Sequence, residues 1–172
     1  GITLGIHGVT NNNQVIFTPY YDLSSLKLAE TLSDYFNVPV YLENEANLSA
    51  LGELTYLSHQ YSNIANISIH SGVGLGLIIN HKLYTGAKGF AGEFGHTIIE
   101  IDGRECPCGN KGCLEQYTSE RSLLKEYAAA THQEKVNFTT FAKDYREKNP
   151  TALFMADHFI KYMSVCINNL LN

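Results

Sequence analysis

Between Gly95 and Cys113 the chain places one imidazole and three thiols: Gly95-His96, then Cys106-Pro107-Cys108-Gly109-Asn110-Lys111-Gly112-Cys113. No other feature constrains folding as strongly. Zinc favours four nitrogen and sulfur ligands in a tetrahedron, and three cysteines with one histidine is a common structural set. Gly109 and Gly112 allow turns tight enough for Cys108 and Cys113 to converge on one ion. Four protein ligands leave the ion no open position, so the expected cofactor is a structural Zn2+. Its binding would contribute on the order of 10 kcal/mol of apparent folding free energy to a loop with little core of its own. Two other readings use the same residues: free thiols in a loop, and an iron–sulfur cluster, which usually takes four cysteines. The fourth of the four cysteines, Cys166, has apolar neighbours late in the chain and is expected to be buried. A disulfide framework would spread and pair its cysteines. Three clustered thiols beside a histidine point instead to metal binding in a reducing, cytoplasmic compartment.

With 172 residues, the chain is long enough for one domain or two small lobes around a real core. Its net charge is −5 and no lysine or arginine cluster is present. A surface that displaces counterions from phosphates needs such a patch, which argues against contact with DNA or RNA by this segment itself. Any DNA-binding module would lie outside it. No apolar run reaches the roughly 18 residues of a membrane-spanning helix, so no membrane partner is expected. Gly1-Ile2-Thr3-Leu4-Gly5 lacks Met and the basic head of a signal peptide. It reads as a strand already under way, and the chain is expected to be a piece of a longer protein.

Periodicity gives the coarse order of elements. Ile2 to Ile6 reads as a strand, followed by a polar turn at Asn11-Asn12-Asn13 and a return at Val15 to Thr18. Ser24 to Phe36 has helical spacing, with Ser24 or Ser25 as cap. Val38 to Leu42 is a buried-type strand, and Asn44 to Leu57 the next helix. Ile64 to Ile69 and Leu77 to Leu83 are strands, separated by a glycine-rich turn, Gly72-Val73-Gly74-Leu75-Gly76, with Asn80-His81 as a hairpin point. A loop from Gly86 to Gly95 leads to a strand at Thr97 to Ile101 and a loop from Asp102 to Cys113. Three helices follow: Ser119 to Ala130, Thr139 to Lys148 and Thr151 to Leu171, with Pro150 separating the last two. Alternating strands and helices followed by helices alone imply an α/β fold with an incomplete sheet. The expected division is an α/β part with the zinc loop, 1–117, and a helical part, 118–172.

Three motifs carry a family resemblance. Glu93-Phe94-Gly95-His96, with Cys106-x-Cys108-Gly109-x-x-Gly112-Cys113-Leu114-Glu115, resembles the signature of the ROK family of bacterial repressors and sugar kinases. Glu43-Asn44-Glu45-Ala46-Asn47, followed by Ala50 to Glu53, resembles that family's sugar-site motif. His70-Ser71-Gly72-Val73-Gly74 resembles its phosphate turn, with Ser71, Gly72 and Gly74 as the matching residues. The order and spacing are the family's, and the match covers most of the chain, weakening from about Thr131.

The resemblance implies an actin-like, ribonuclease-H-like fold that binds a sugar between two lobes and assembles as a homo-oligomer. It implies that sugar hydroxyls meet Asn44, Glu45, Glu93, His96 and Glu115, with Gly8 as a weaker candidate for close backbone approach. Carboxylates and an amide suit hydroxyls that both donate and accept. His96 would use one ring nitrogen on zinc and the other toward the sugar, so that the metal orients it. Alternatives remain at each position. Asn44 can be the cap of its helix, a sugar ligand or both. Glu45 and Glu53 can be solvated, and Glu93 and Glu115 can balance charge near the zinc loop. His7, His59, His81, His132 and His158 have no partner pattern and read as surface or packing residues.

Family kinases carry aspartate where this chain has Glu45, as the base that takes the proton from the sugar hydroxyl attacking the γ-phosphate of ATP with Mg2+. The extra methylene displaces the carboxylate, and a displacement of roughly 1 Å can cost about a hundredfold in rate. Kinases also begin the phosphate turn with glycine, where this chain has His70, whose side chain crowds the approach. The two departures imply an effector-binding core of a repressor whose sugar changes the DNA affinity of a helix-turn-helix outside this chain. A sugar kinase with Glu45 as base is the alternative, and a zinc-dependent interaction module without ligand is a third. The wording of Phe17-Thr18-Pro19-Tyr20-Tyr21-Asp22-Leu23 is similar to the xylose-repressor branch.

Overall fold

A computed structural model describes residues 1–19 and 21–172; Tyr20, within the Phe17-to-Leu23 wording, lies outside the described residues. By packing, the chain divides into two compact units, one of residues 1–68 and 74–93, the other of residues 69–73 and 94–172.

The first unit opens with β1 (Ile2–Ile6), as expected. Val15 does not return onto it. A separate strand, β2 (Val9–Asn11), pairs antiparallel with β3 (Gln14–Phe17), and Asn12 and Asn13 turn between them at positive φ. Asn is one of the few residues that adopts that region readily. Helix α1 (Leu28–Phe36) begins four residues later than its spacing suggests. The Asp22 carboxylate takes both the amide and the hydroxyl of Ser24, at 3.0 and 2.6 Å, so Ser24 closes a local turn and caps no helix. Strand β4 (Val40–Asn44) then runs parallel to β1, with Ile2 opposite Val40 and Ile6 opposite Asn44. Ile6, Val15, Ala29, Val40 and Leu42 form the buried cluster between these elements.

Helix α2 (Glu45–Tyr56) follows β4 directly. The Asn44 side chain caps it by accepting from the amides of Ala46 and Asn47 at 2.8 and 3.2 Å. A three-stranded sheet comes next, ordered β5 (Ile64–Ile69), β6 (Val73–Ile79), β7 (Lys82–Leu83). The β6–β7 hairpin turns on Asn80 and His81, both at positive φ, with Ile79 opposite Lys82. Most of the glycine-rich stretch expected as a turn is therefore strand. Its glycines serve packing: a Cβ on Gly76 would sit 2.3 Å from the Ala46 carbonyl oxygen and 2.5 Å from the Ala50 Cβ. Only glycine lets helix α2 lie this close to β6. Ala50, Leu54 and Ile78 are the buried centre of that contact.

In the second unit, Phe94–His96 forms a single 3-10 turn. Residues 97–101 form no strand; one isolated bridge joins Ile98 to Cys113. Their backbone is used by the loop opposite, since Ile99 donates to the Gly112 carbonyl and Leu114 to that of Thr97, at 2.9 and 2.8 Å. A short helix, α3 (Glu115–Thr118), was not legible in the periodicity. Then come α4 (Glu120–Ala130), α5 (Phe138–Arg146) and α6 (Pro150–Leu171), capped by Ser119, Asn137 and Asn149. Pro150 opens α6, where its missing N–H costs nothing. Tyr127, Phe141 and Ala152 form the helical core, with the two rings edge to face at 5.1 Å. Cys166 is buried on α6, as expected. Among the described residues no helix is long and apolar enough to cross a membrane.

Candidate functional site

The four donors singled out in the sequence converge. The ligand atoms of His96, Cys106, Cys108 and Cys113 all lie within 4.8 Å of one another. His96 Nδ1 is 3.5 Å from Cys106 Sγ, and Cys108 Sγ is 3.7 Å from Cys113 Sγ. Zinc–sulfur bonds of about 2.3 Å and zinc–nitrogen bonds of about 2.0 Å in a tetrahedron give edges of roughly 3.8 Å between sulfurs and 3.5 Å between sulfur and nitrogen. The donor set, its chemistry and its size therefore fit one tetrahedral ion.

Local structure explains the convergence. Cys106 to Gly109 is a tight turn, closed by the Gly109 amide on the Cys106 carbonyl at 2.9 Å. A second isolated bridge joins Glu105 to Lys111. Gly112, at φ 74°, brings its α-carbon against the Glu100 backbone, where a Cβ would meet the carbonyl oxygen at 1.7 Å. Cys106 and Cys113 are buried, and burial pushes both thiols above the ordinary range, reinforced at Cys113 by the neighbouring sulfurs. Thiols so packed are neutral without a cation, and a bound metal reverses that balance. Gln116 donates Nε2–H to Cys106 Sγ at 3.5 Å, a support for the sulfur that spacing gave no sign of.

The loop is held to the helices of its own unit. Tyr162 on α6 donates to Glu100 Oε1 at 2.7 Å. Arg104 lies over the Tyr117 ring at 4.2 Å and pairs with Glu126. Glu115, the first residue of α3, is 5% exposed and accepts from the Val73 amide through Oε2 at 3.2 Å.

The turn before Val73 differs from a cradle of amides. The His70 amide donates to the Gly72 carbonyl, while the His70 carbonyl accepts from the Glu120 amide, both at 2.9 Å. The Ser71 carbonyl accepts from the Arg121 guanidinium. Ser71 and Gly72 lie in this turn, and Gly74 lies in β6.

In the first unit, Gly8, Asn44, Glu45 and Glu93 come from the end of β1, the β4–α2 junction and the closing loop. Asn44 Nδ2 donates to the Gly8 carbonyl at 2.8 Å while its Oδ1 caps α2. Glu43 Oε1 accepts from Thr10 Oγ1, the Asn44 amide and Asn47 Nδ2, at 3.2, 2.8 and 2.9 Å, and so ties β2 and β4 to the helix start. Glu53 has no such role in evidence and is exposed. His7 does have a partner, contrary to expectation: its Nδ1 lies 2.9 Å from Glu45 Oε1. The pairing spans 38 positions, so no local pattern could reveal it; the register of Ile6 opposite Asn44 does.

The ROK family model matches residues 1–172, the whole chain. The protein belongs to the ROK family and has its mixed α/β, actin-like fold. Against the xylose repressor of Bacillus spizizenii it is 37% identical over 174 aligned positions, covering 100% of this chain and 45% of the repressor. A ROK family glucokinase from Streptomyces griseus, solved with glucose and AMPPNP, superposes with a TM-score of 0.85 at 28% identity, covering 96% of this chain and 59% of that one. A ROK family transcriptional regulator, a homologue of the E. coli MLC protein, gives 0.82 at 28% identity, over 99% and 46% of the two chains. The chain thus spans about half the length of the relatives it matches.

Proposed function

We propose that this chain is the sugar-effector-binding core of a ROK transcriptional repressor, with D-xylose as the first sugar to test and a structural Zn2+ in the loop of His96, Cys106, Cys108 and Cys113. The observation that carries the reading is the end-to-end match to a xylose repressor at 37% identity. In this reading Asn44, Glu45, Glu93, His96 and Glu115 serve the sugar hydroxyls. Their amide, carboxylate and imidazole groups suit hydroxyls as both donors and acceptors. His96 turns Nδ1 toward Cys106 Sγ; in this reading Nε2 would face the sugar, with the metal orienting the ring. Sugar binding then favours one arrangement of the whole protein by its differential affinity, and DNA affinity elsewhere in the protein changes by the same coupling free energy. A homo-oligomer is part of the same proposal.

A second reading, an ATP-dependent sugar kinase with Glu45 as base, is supported by the TM-score of 0.85 to a glucokinase. Against it stand the glutamate in place of aspartate and a turn whose His70 and Ser71 carbonyls are engaged by α4. Sugar-dependent ADP release by the intact protein separates the two. Turnover above about 1 s⁻¹ with xylose, glucose, N-acetylglucosamine or N-acetylmannosamine would establish the kinase. No turnover, with a melting temperature that rises with one of these sugars, is the expected result.

A further inference from the structure

His7 lies just beyond β1, where the register places Ile6 opposite Asn44. Two hydrogen bonds lace the next residues to the start of α2: His7 Nδ1 to Glu45 Oε1 at 2.9 Å, and Asn44 Nδ2 to the Gly8 carbonyl at 2.8 Å. A carboxylate only accepts, so Nδ1 carries the proton and donates. The side chains are 40% and 53% exposed, and an exposed pair of this kind contributes little to folding stability. Its consequence lies in orientation. A glutamate at a helix start has several rotamers, and a sugar that binds it must freeze one of them. The imidazole freezes it beforehand.

Resting on the sugar-site reading above, we infer that His7 is a positioning residue of that site, which holds Glu45 through Oε1 so that the carboxylate meets sugar hydroxyls in one orientation. The histidine is a feature of this chain's own β1 end, outside every motif that carries the family resemblance. It also accounts for a longer carboxylate at position 45: the extra methylene lets Glu45 reach the imidazole from the first turn of the helix.

The test uses the intact, zinc-loaded protein, with labelled D-xylose and D-glucose in equilibrium dialysis and melting temperature as a second readout. His7→Ala is expected to weaken binding by about threefold to tenfold, the scale of ordering one flexible side chain on binding, with the sugar-free melting temperature unchanged. His7→Asn, whose amide nitrogen can stand where Nδ1 stands, is expected to restore affinity to within about threefold. On a Glu45→Ala background, His7→Ala is expected to add no further loss. Wild-type affinity in His7→Ala, while Glu93→Ala loses the sugar, overturns the inference and leaves the sugar site standing. A lowered melting temperature in both His7 variants without rescue by Asn overturns it also, by making the role structural. Sugar binding that survives Glu93→Ala and Glu45→Ala alike, or its absence from the wild type, overturns the sugar-site reading itself and the inference with it.

Discussion

The Val73 amide donates to Glu115 Oε2 at 3.2 Å, and Glu115 is nearly sealed from solvent. One carboxylate therefore supports the turn that opens β6 and, in the proposed reading, also faces the sugar. Glu115→Ala should leave the Val73 N–H without its partner and destabilise the protein by about 1–3 kcal/mol even without ligand. Glu115→Gln, which retains an acceptor, should recover most of that stability. Urea denaturation of the three proteins checks both outcomes.

Asn44 does two jobs through two atoms. Asn44→Ala removes the cap of α2 and should cost about 1 kcal/mol in the absence of sugar. Asn44→Asp keeps the capping oxygens and loses the Nδ2 bond to Gly8. If the amide also serves the sugar, Asp should restore only the capping share of the stability and leave affinity low. Restored affinity in the Asp variant would show that capping is the residue's whole contribution.

Metal removal should act on the second unit most. Extracting the ion from intact protein with a strong chelator should lower the melting temperature by more than about 10 °C. Elemental analysis should give one zinc per chain, lost in Cys113→Ser and kept in Cys166→Ser. Equal zinc content in all three proteins would place the metal elsewhere.

Tyr127 provides an alkaline signature. Burial first, then its hydrogen bond to Asp144 at 2.7 Å, pushes its hydroxyl up to about 12 from an ordinary 10. The unfolded state therefore releases this proton first. The stabilisation is complete below about pH 10 and is lost as pH rises toward about 12. Tyrosinate absorbance should show late-titrating rings, Tyr127 and Tyr162 among them, with one fewer in Tyr127→Phe.

The close approach of α2 to β6 can be probed at Gly76. Gly76→Val should destabilise by about 3 kcal/mol or more, because the Ala46 backbone cannot yield as a side chain would. An exposed helix glycine with open space around it, Gly52, provides the contrast: Gly52→Ala should be neutral or stabilising.

How legible these features were follows from their range in sequence. The His96 and cysteine cluster is short, and the chemistry of its donors is unambiguous, so residue types alone located it. The cap at Asn44 is equally local, whereas those at Asn137 and Asn149 were not singled out. Long-range choices were hidden. Val15 pairs with β2 and not with β1 because the short segment after Gly8 forms a strand of its own, three residues long. Residues 97–101 read as a strand by composition, yet their backbone partners are loop carbonyls and amides around Gly112 and Leu114. The glycines at 74 and 76 look like a turn until α2 is placed against them. His7 looked idle for the same reason, its partner being on another element.

Every donor of the cluster comes from the stretch between His96 and Cys113, and two isolated bridges, Glu105 to Lys111 and Ile98 to Cys113, close within that same stretch. Closing short loops costs little chain entropy compared with assembling a sheet. A zinc ion bound there would therefore close the loop without help from any strand of the first unit, once Cys113 has left the ribosome. On that footing the loop, with zinc bound, would be a seed for folding as well as a brace for the finished protein.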